Sequence, residues 1–248
     1  MPTDHLERRD DEQMSDLDRT TLLVRLARLI ADDDADRPLE SRLCHAYLAI
    51  LGGDGAAITL SYTNTDRVTL CTTDDLAARL EDLQEVLGEG PGPTAFRTGA
   101  ITVADLRTDP GPWPLLADAA RSLPGAAVLH AVPIRPWDDG VIGVLTIHQD
   151  GTDVPADEPA QFLANAIGVA LVKDRPDEST LDDGPWAARS EVHQATGMVV
   201  AQLRVRPDDA IALLRAHAFS HDVSLSAVAH EITSRRLKFS DDAESETS

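Results

Sequence analysis

From Leu17 the apolar residues fall at spacings of three and four, as Leu22, Leu26, Leu29 and Ile30, in a stretch free of glycine and proline. That pattern predicts a helix with one buried face. Arg37–Pro38 breaks it, and Leu43, Tyr47 and Ile50 then predict a second helix, ended by Gly52, Gly53 and Gly55. Short apolar and β-branched segments at 57–62 and 68–72 flank a turn-like 63–66 and read as paired strands. Helical spacing returns over 74–87, with Leu76, Leu80, Leu83 and Leu87. Residues 88–99 (GEGPGPTAFRTG) hold four glycines and two prolines and read as a structural loop, with a single helical turn from Pro93. Beyond it come a short strand at 101–103, a rigid loop at 110–114 (PGPWP) and a small helix at 115–122. Two β-rich runs, 126–134 and 141–148, form a hairpin through 136–140. A helix over 155–172 closes the region, with Phe162, Leu163, Ala166, Val169 and Ala170 on its apolar face.

Because the strands meet in pairs, this order predicts an α+β fold with an antiparallel sheet and flanking helices, over residues 17–173. The acidic, breaker-rich stretch 174–185 (DRPDESTLDDGP) reads as a linker. Beyond the linker the pattern is purely helical. Residues 186–203 carry Val192, Ala195, Val199 and Leu203 on one face. A second helix starts at Pro207, with Asp208 and Asp209 suited to its N-terminus, and buries Ile211, Leu214 and Ala218. Ser224 caps a third with Leu225, Val228, Ala229 and Ile232 inside. Together they predict a small three-helix bundle over 186–239. The polar, acidic residues 1–16 read as a disordered tail, and 240–248 as an acidic one.

Composition narrows the function. With 248 residues, 42% of them hydrophobic, the chain is long enough for a sensor-sized domain plus a smaller module, and wholesale disorder is excluded. The net charge of −21 repels polyanions on average, which excludes a generic nucleic-acid coat. Two cysteines, Cys44 and Cys71, exclude a disulfide scaffold. The first twelve residues lack the apolar core of a secretory signal, and no apolar run is long enough for a membrane span, so a soluble cytoplasmic protein is expected. The charge is unevenly spread. Residues 187–239 hold seven Lys/Arg against five acids, a surplus of two, so the rest of the chain carries −23. Only the bundle offers an anionic polymer a place to dock. A solvated helical face has the same composition, so charge alone decides nothing.

The residues from His193 to Phe239 do more. Ala195-Thr196-Gly197, the proline-started helix with Ala210, Leu214, Arg215 and Ala218, and Leu225, Val228 and Ala229 resemble an ANTAR domain, an RNA-binding antiterminator module of bacterial regulators. Family members often carry a lysine where Thr196 stands. The stretch 87–106 (LGEGPGPTAFRTGAITVADL), with Trp113-Pro114 beyond it, resembles a GAF sensor domain. The pattern of cyclic-nucleotide GAF domains is missing. The resemblance implies a non-enzymatic transcription antitermination regulator that captures stem-loop leader RNA. It would act as a homodimer, under control of an unidentified small molecule on the GAF-like domain. Arg204, Arg206, Arg215, Arg235, Arg236 and Lys238 are the expected phosphate or base contacts, with Gln194 and Thr196 as polar readers. Ala195, Gly197 and Ala218 are expected to pack helices closely.

Other chemistry is weaker. The glycine-rich stretch lacks the Lys-Ser/Thr ending of a phosphate-binding loop. Cys44 and Cys71 lie on different elements and read as buried thiols rather than a redox pair. His217 and His221 stand one helical turn apart without a third ligand, so no metal is expected, and no cofactor or catalytic group is called for. The alternatives are a DNA-binding regulator using its last helix, and a signalling or ligand-binding module that contacts only proteins. The dimer would form through Leu22, Leu26, Leu29 and Ile30 together with the helix at 155–172.

Overall fold

The computed structural model describes residues 14–63, 66–108, 111–125, 128–137, 140–151, 155–173 and 185–239. Its first helix, α1 (Asp16–Asp32), begins with a capping box at Ser15. The Ser15 hydroxyl accepts from the Asp18 N–H at 3.2 Å, and the Asp18 carboxylate accepts from the Ser15 N–H at 3.3 Å. The Met14 N–H donates to the Glu158 carboxylate at 2.8 Å. Residues 14–16 thus belong to the folded domain, which shortens the expected tail, and the rest of that tail lies outside the described residues. Helix α1 buries Leu26 and half-buries Leu22, Leu29 and Ile30. Leu17, Leu23 and Val24 remain exposed on it. Helix α2 (Leu39–Leu51) sends Leu43, Cys44, Ala46 and Tyr47 into the core.

Five strands come next: β1 (Gly55–Thr63), β2 (Asp66–Thr72), β3 (Thr102–Asp105), β4 (Val128–Ile134) and β5 (Gly143–Gln149). They form one sheet in the order β2-β1-β5-β4-β3, antiparallel at every step. The fold of this domain is therefore α+β, as the paired strands imply. Alternation along the strands separates two layers. Ile58, Val132, Ile134, Leu145 and Ile147 face α2 and α6 (Asp157–Lys173), with α1 packed outside them. The other face is covered by α3 (Asp75–Leu87), α4 (Pro91–Thr98) and α5 (Pro114–Ala120).

Two expectations are corrected here. In α6 the sheet-facing residues are Ala160, Leu163, Ala164 and Ile167, while Phe162, Ala166, Val169 and Ala170 are only half-buried. The helix is apolar nearly all round, so spacing alone left its buried face ambiguous. The glycine-rich stretch is not a loop but mostly α4. Pro91 sits at the first helical position, where its missing N–H costs nothing, and Gly99 closes the helix in the left-handed conformation. Gly90 must be glycine on two counts: its φ is 140°, and a Cβ there would lie 2.6 Å from Gln84 Oε1. That same oxygen accepts the Gly92 N–H at 2.8 Å, tying α4 to α3.

The layer under α3 is polar at its centre. The buried Glu81 carboxylate accepts from the hydroxyls of Thr59 and Thr146, at 2.9 and 2.7 Å, and from the Gln84 amide at 3.0 Å, with Arg67 at 3.5 Å. On the opposite layer Cys44 and Cys71, though on α2 and β2, come together as free buried thiols. Their mutual hydrogen bond and burial push the Cys71 thiol far up, so it stays protonated and unreactive.

Three more helices complete the described chain: α7 (Pro185–Leu203), α8 (Pro207–Ser220) and α9 (Leu225–Thr233). Pro185, expected to end the linker, is the first residue of α7; the remainder of that stretch and 240–248 lie outside the described residues. Among the described residues no helix is long and apolar enough to cross a membrane.

Candidate nucleic-acid interface

The three helices close around Val192, Ala195 and Val199 of α7, Ala210, Leu214 and Ala218 of α8, and Leu225, Val228, Ala229 and Ile232 of α9. Helices α7 and α9 run antiparallel. The start of α7 meets the end of α9, where Glu191 accepts from the Thr233 hydroxyl at 2.6 Å and pairs with His230 at 2.9 Å. These two partners hold the Glu191 carboxyl below the usual range. Phe239 returns the chain to the other end of α7, donating its N–H to Gln202 Oε1 at 3.1 Å.

The turns of this module are made by unusual residues. Arg204 ends α7 at φ 55° and Arg235 succeeds α9 at φ 62°. Both sit in left-handed positions that normally fall to glycine, and a side chain there costs about 1 kcal/mol. Both are exposed and make no ion pair among the described residues. The exposed Lys238 precedes Phe239, whose N–H reaches Gln202 near the end of α7. Exposed cations without ion pairs among the described residues thus stand just beyond the ends of α7 and α9.

The other expected contacts are engaged. Arg206 pairs with Asp209 at 3.2 Å and Arg236 with Glu231 at 2.9 Å. Each of these pairs is exposed and weak, and a phosphate can replace the carboxylate at little cost. Arg215 differs. It points out of α8 toward the α+β domain, its Nε is buried without a hydrogen-bond partner, and burial lowers its pKa against the opposing pull of Glu85. In this arrangement the half-buried Arg215 withholds its Nε from a polyanion.

Of the two polar readers, Gln194 is exposed, while Thr196 is half-buried and spends its hydroxyl proton on the Val192 carbonyl at 2.8 Å. Two residues apart on a helix, they project in directions about 160° from one another and do not converge. Ala195 and Ala218 are fully buried close contacts between helices. Gly197 is not: it is exposed, and a Cβ there would meet nothing within 4 Å. It lies on the same α7 face as Gln194, Ala201 and Arg204, all exposed. His217 and His221 stack with ring centroids 4.0 Å apart, and no group of three metal-ligating side chains exists among the described residues.

The bundle also docks on the α+β domain. Val86 of α3 is buried inside the bundle's own core, beside Leu214 and Ala218. Arg79 of α3 makes an ion pair with Asp222, which takes φ 53° in the turn between α8 and α9. Between them lies a cleft of about 250 Å³, lined by Leu83 and Val86 from one side and Phe219 and Val223 from the other. Burial drives the Glu85 carboxyl up to about 7, with Arg67 and Arg215 pulling it down and Asp82 and Glu81 pushing it further up. A raised carboxyl destabilises the fold where it is ionised, fully above pH 7 and negligibly below the unfolded value near 4.5. Glu85→Gln therefore stabilises the chain by on the order of 1–3 kcal/mol at about pH 8, with the gain fading as pH falls toward about 4.5. Denaturant unfolding at about pH 5, 6.5 and 8 checks this, and a gain that does not grow with pH contradicts it.

Residues 186–232 match the family model of the ANTAR domain. No curated protein matches the chain. Solved structures similar to the N-terminal part include a domain of a protein described as a putative two-component sensor histidine kinase from Sinorhizobium meliloti 1021, 15% identical over 61% of this chain and 100% of that one, TM-score 0.44. The GAF-B domain of DevS from Mycobacterium smegmatis is 19% identical over 52% of this chain and 86% of that one, TM-score 0.35. The GAF domain of an Acinetobacter phosphoenolpyruvate-protein phosphotransferase is 13% identical over 66% of this chain and 100% of that one, TM-score 0.42. The three-helix bundle with its exposed cations, joined to a five-stranded α+β domain, is thus an ANTAR domain.

Proposed function

We propose that this chain is an RNA-binding transcription antitermination regulator, in which the GAF-like α+β domain governs access to the ANTAR domain. The observation that carries the reading is the set of exposed positions where the ANTAR domain gives up stability. Arg204 and Arg235 sit in left-handed backbone, and Gly197 lies in the interior of α7 without filling any close contact. A mid-helix glycine costs roughly 0.5–1 kcal/mol relative to alanine. Local violations of this kind collect where a partner must be met. An open backbone at Gly197, with cations just beyond the ends of α7 and α9, suits a phosphate chain pressed close to the helix. Arginine forks and a neutral amide at Gln194 suit unpaired bases in a loop.

Control stems from Arg215. The sensor domain and a stem-loop compete for the face of α8 that carries it, so release of α8 from α3 precedes full RNA engagement. The ANTAR domain accounts for a regulatory role, and catalysis plays no part in this reading.

The experiment is a gel shift with a stem-loop leader RNA. Arg235→Ala with Arg236→Ala weakens binding by about tenfold while leaving the helical content unchanged. Undiminished retention of the RNA removes these two residues from the interface. Binding also weakens as salt rises, because the cations that neutralise the phosphates release condensed counterions.

A homodimer fits the same reading. Leu17, Leu23 and Val24 leave an apolar strip on the outside of α1, beyond what the α2–α6 layer covers. Leu23→Glu converts the protein to a monomer in sedimentation velocity, whereas a chain already monomeric at micromolar concentration overturns the dimer.

A further inference from the structure

The sensor domain holds a second site, built from donors. A cleft of about 720 Å³ opens where the C-terminal end of α4, the base of the β4–β5 hairpin and α6 meet. No residue of the ANTAR domain lines it. Two arginines do, Arg97 and Arg135. Arg19, Arg37, Arg67, Arg107 and Arg121 of this domain are tied to carboxylates. Arg97 and Arg135 have no carboxylate partner among the described residues. Arg97 donates only to the Thr94 hydroxyl at 3.3 Å, and Arg135 to the Gln161 amide oxygen at 3.4 Å. Among the described residues, these two guanidinium groups on one cleft have no counter-charge.

The third donor is fixed by its surroundings. Asn165 Oδ1 accepts both the Arg135 backbone N–H at 2.9 Å and a Gln161 amide N–H at 2.9 Å. That orients the carboxamide oxygen inward, so its NH₂ is the half left for the cleft. Trp137, half exposed at 50%, supplies a flat apolar wall. Among the described residues no carboxylate lines the space.

We infer that this cleft binds a small organic anion consisting of a flat unsaturated ring bearing an oxyanion, the anion between Arg97 and Arg135 and the ring against Trp137. Guanidinium forks match planar carboxylate and tetrahedral phosphate alike, and an indole face stacks on any aromatic ring. Asn165 links the ligand to α6, the last described element before the ANTAR domain. The site deepens the proposed function by naming the chemistry the sensor domain receives, but it rests on its own residues.

Calorimetric titration of the intact chain, without RNA, tests it. The probes are adenosine 5′-monophosphate and salicylate, which separate phosphate from carboxylate, with adenosine and inorganic phosphate as half-ligands. At least one complete probe binds saturably and more tightly than either half-ligand. Arg97→Gln, Arg135→Gln and Trp137→Ala each weaken it by about tenfold or more, and since all three side chains are largely on the surface, the thermal transition is unchanged. Failure of both complete probes to bind at millimolar concentration overturns the inference, as does binding that survives all three substitutions or matches that of a half-ligand. Because no RNA is present, failure here leaves the gel-shift result untouched, and a failed gel shift leaves this titration standing.

Discussion

Replacing Val86 by aspartate raises the affinity of the intact chain for stem-loop RNA by roughly ten- to a hundredfold. The reason is where Val86 sits. It belongs to α3 of the α+β domain yet is buried in one cluster with Leu214 and Ala218 of the bundle. A carboxylate there loses the apolar contact and faces Asp82 and Glu85 on the same helix, so the docked arrangement is penalised by several kcal/mol. The isolated sensor surface gains only an exposed acid. If the docked state dominates, apparent RNA affinity is reduced by the fraction of undocked molecules, and that reduction disappears when docking is lost. Arg215 is freed at the same time, adding a cation to the interface. Fluorescence anisotropy with labelled leader RNA reads the change. An unaltered or weaker affinity, with the substituted protein folded, means that the sensor does not hold the ANTAR domain back. Arg79→Ala acts in the same direction and more mildly, since it removes one ion pair with the exposed Asp222.

The second large effect runs against the usual link between stability and function. Gly197→Ala, Arg204→Gly and Arg235→Gly together raise the stability of the chain by about 1–2 kcal/mol and weaken RNA binding by roughly a hundredfold. Alanine at 197 removes the backbone entropy cost of a mid-helix glycine and meets no neighbour, because nothing lies within 4 Å of its Cβ. Glycine at 204 and 235 relieves two left-handed side-chain positions. Each change removes something only a ligand would use: close approach at one position and a guanidinium at the other two. Thermal unfolding and anisotropy on the same preparations give both numbers. A triple variant that is more stable and binds RNA as before shows that these exposed irregularities serve no RNA contact.

Much of the fold is readable from spacing. The leucines of α1, α2 and α3 and the cores of α7 and α9 fall where a period near 3.6 puts them, and paired β-branched runs mark the hairpins. In α8, by contrast, Ala210 is buried and the expected Ile211 only half-buried. Reading fails where composition conceals geometry. In α4 two prolines and two glycines occupy the cap and first turn, where they are tolerated, so a two-turn helix looks like a loop. In α6 apolar residues surround the helix and no single face stands out. Cys44 and Cys71 are 27 positions apart, and no local pattern brings them together.

The candidate interface is legible by residue type but not by state. Six cations stand out in the bundle's sequence. That Arg206 and Arg236 are paired, that Arg215 is sequestered, and that Arg204 and Arg235 stand free depends on neighbours that spacing does not specify. Gly197 illustrates the limit: a glycine on a helix suggests close packing, and only the structure shows it open to solvent. One faint signal of the docking does exist. Val86 lies off the Leu76–Leu80–Leu83–Leu87 stripe of α3, so that helix presents apolar surface in a second direction. The partner it meets is more than a hundred residues further along the chain.

Crosslinking of the intact protein to RNA in living cells, with sequencing of the RNA and mapping of the attached peptides, bears on the central claim most directly. The expected outcome is enrichment of transcripts with stem-loops upstream of terminators, with attachment at residues 194–204 and 235–238. Recovery of no more RNA than with the Gly197, Arg204 and Arg235 triple variant, or attachment confined to the sensor domain, contradicts it.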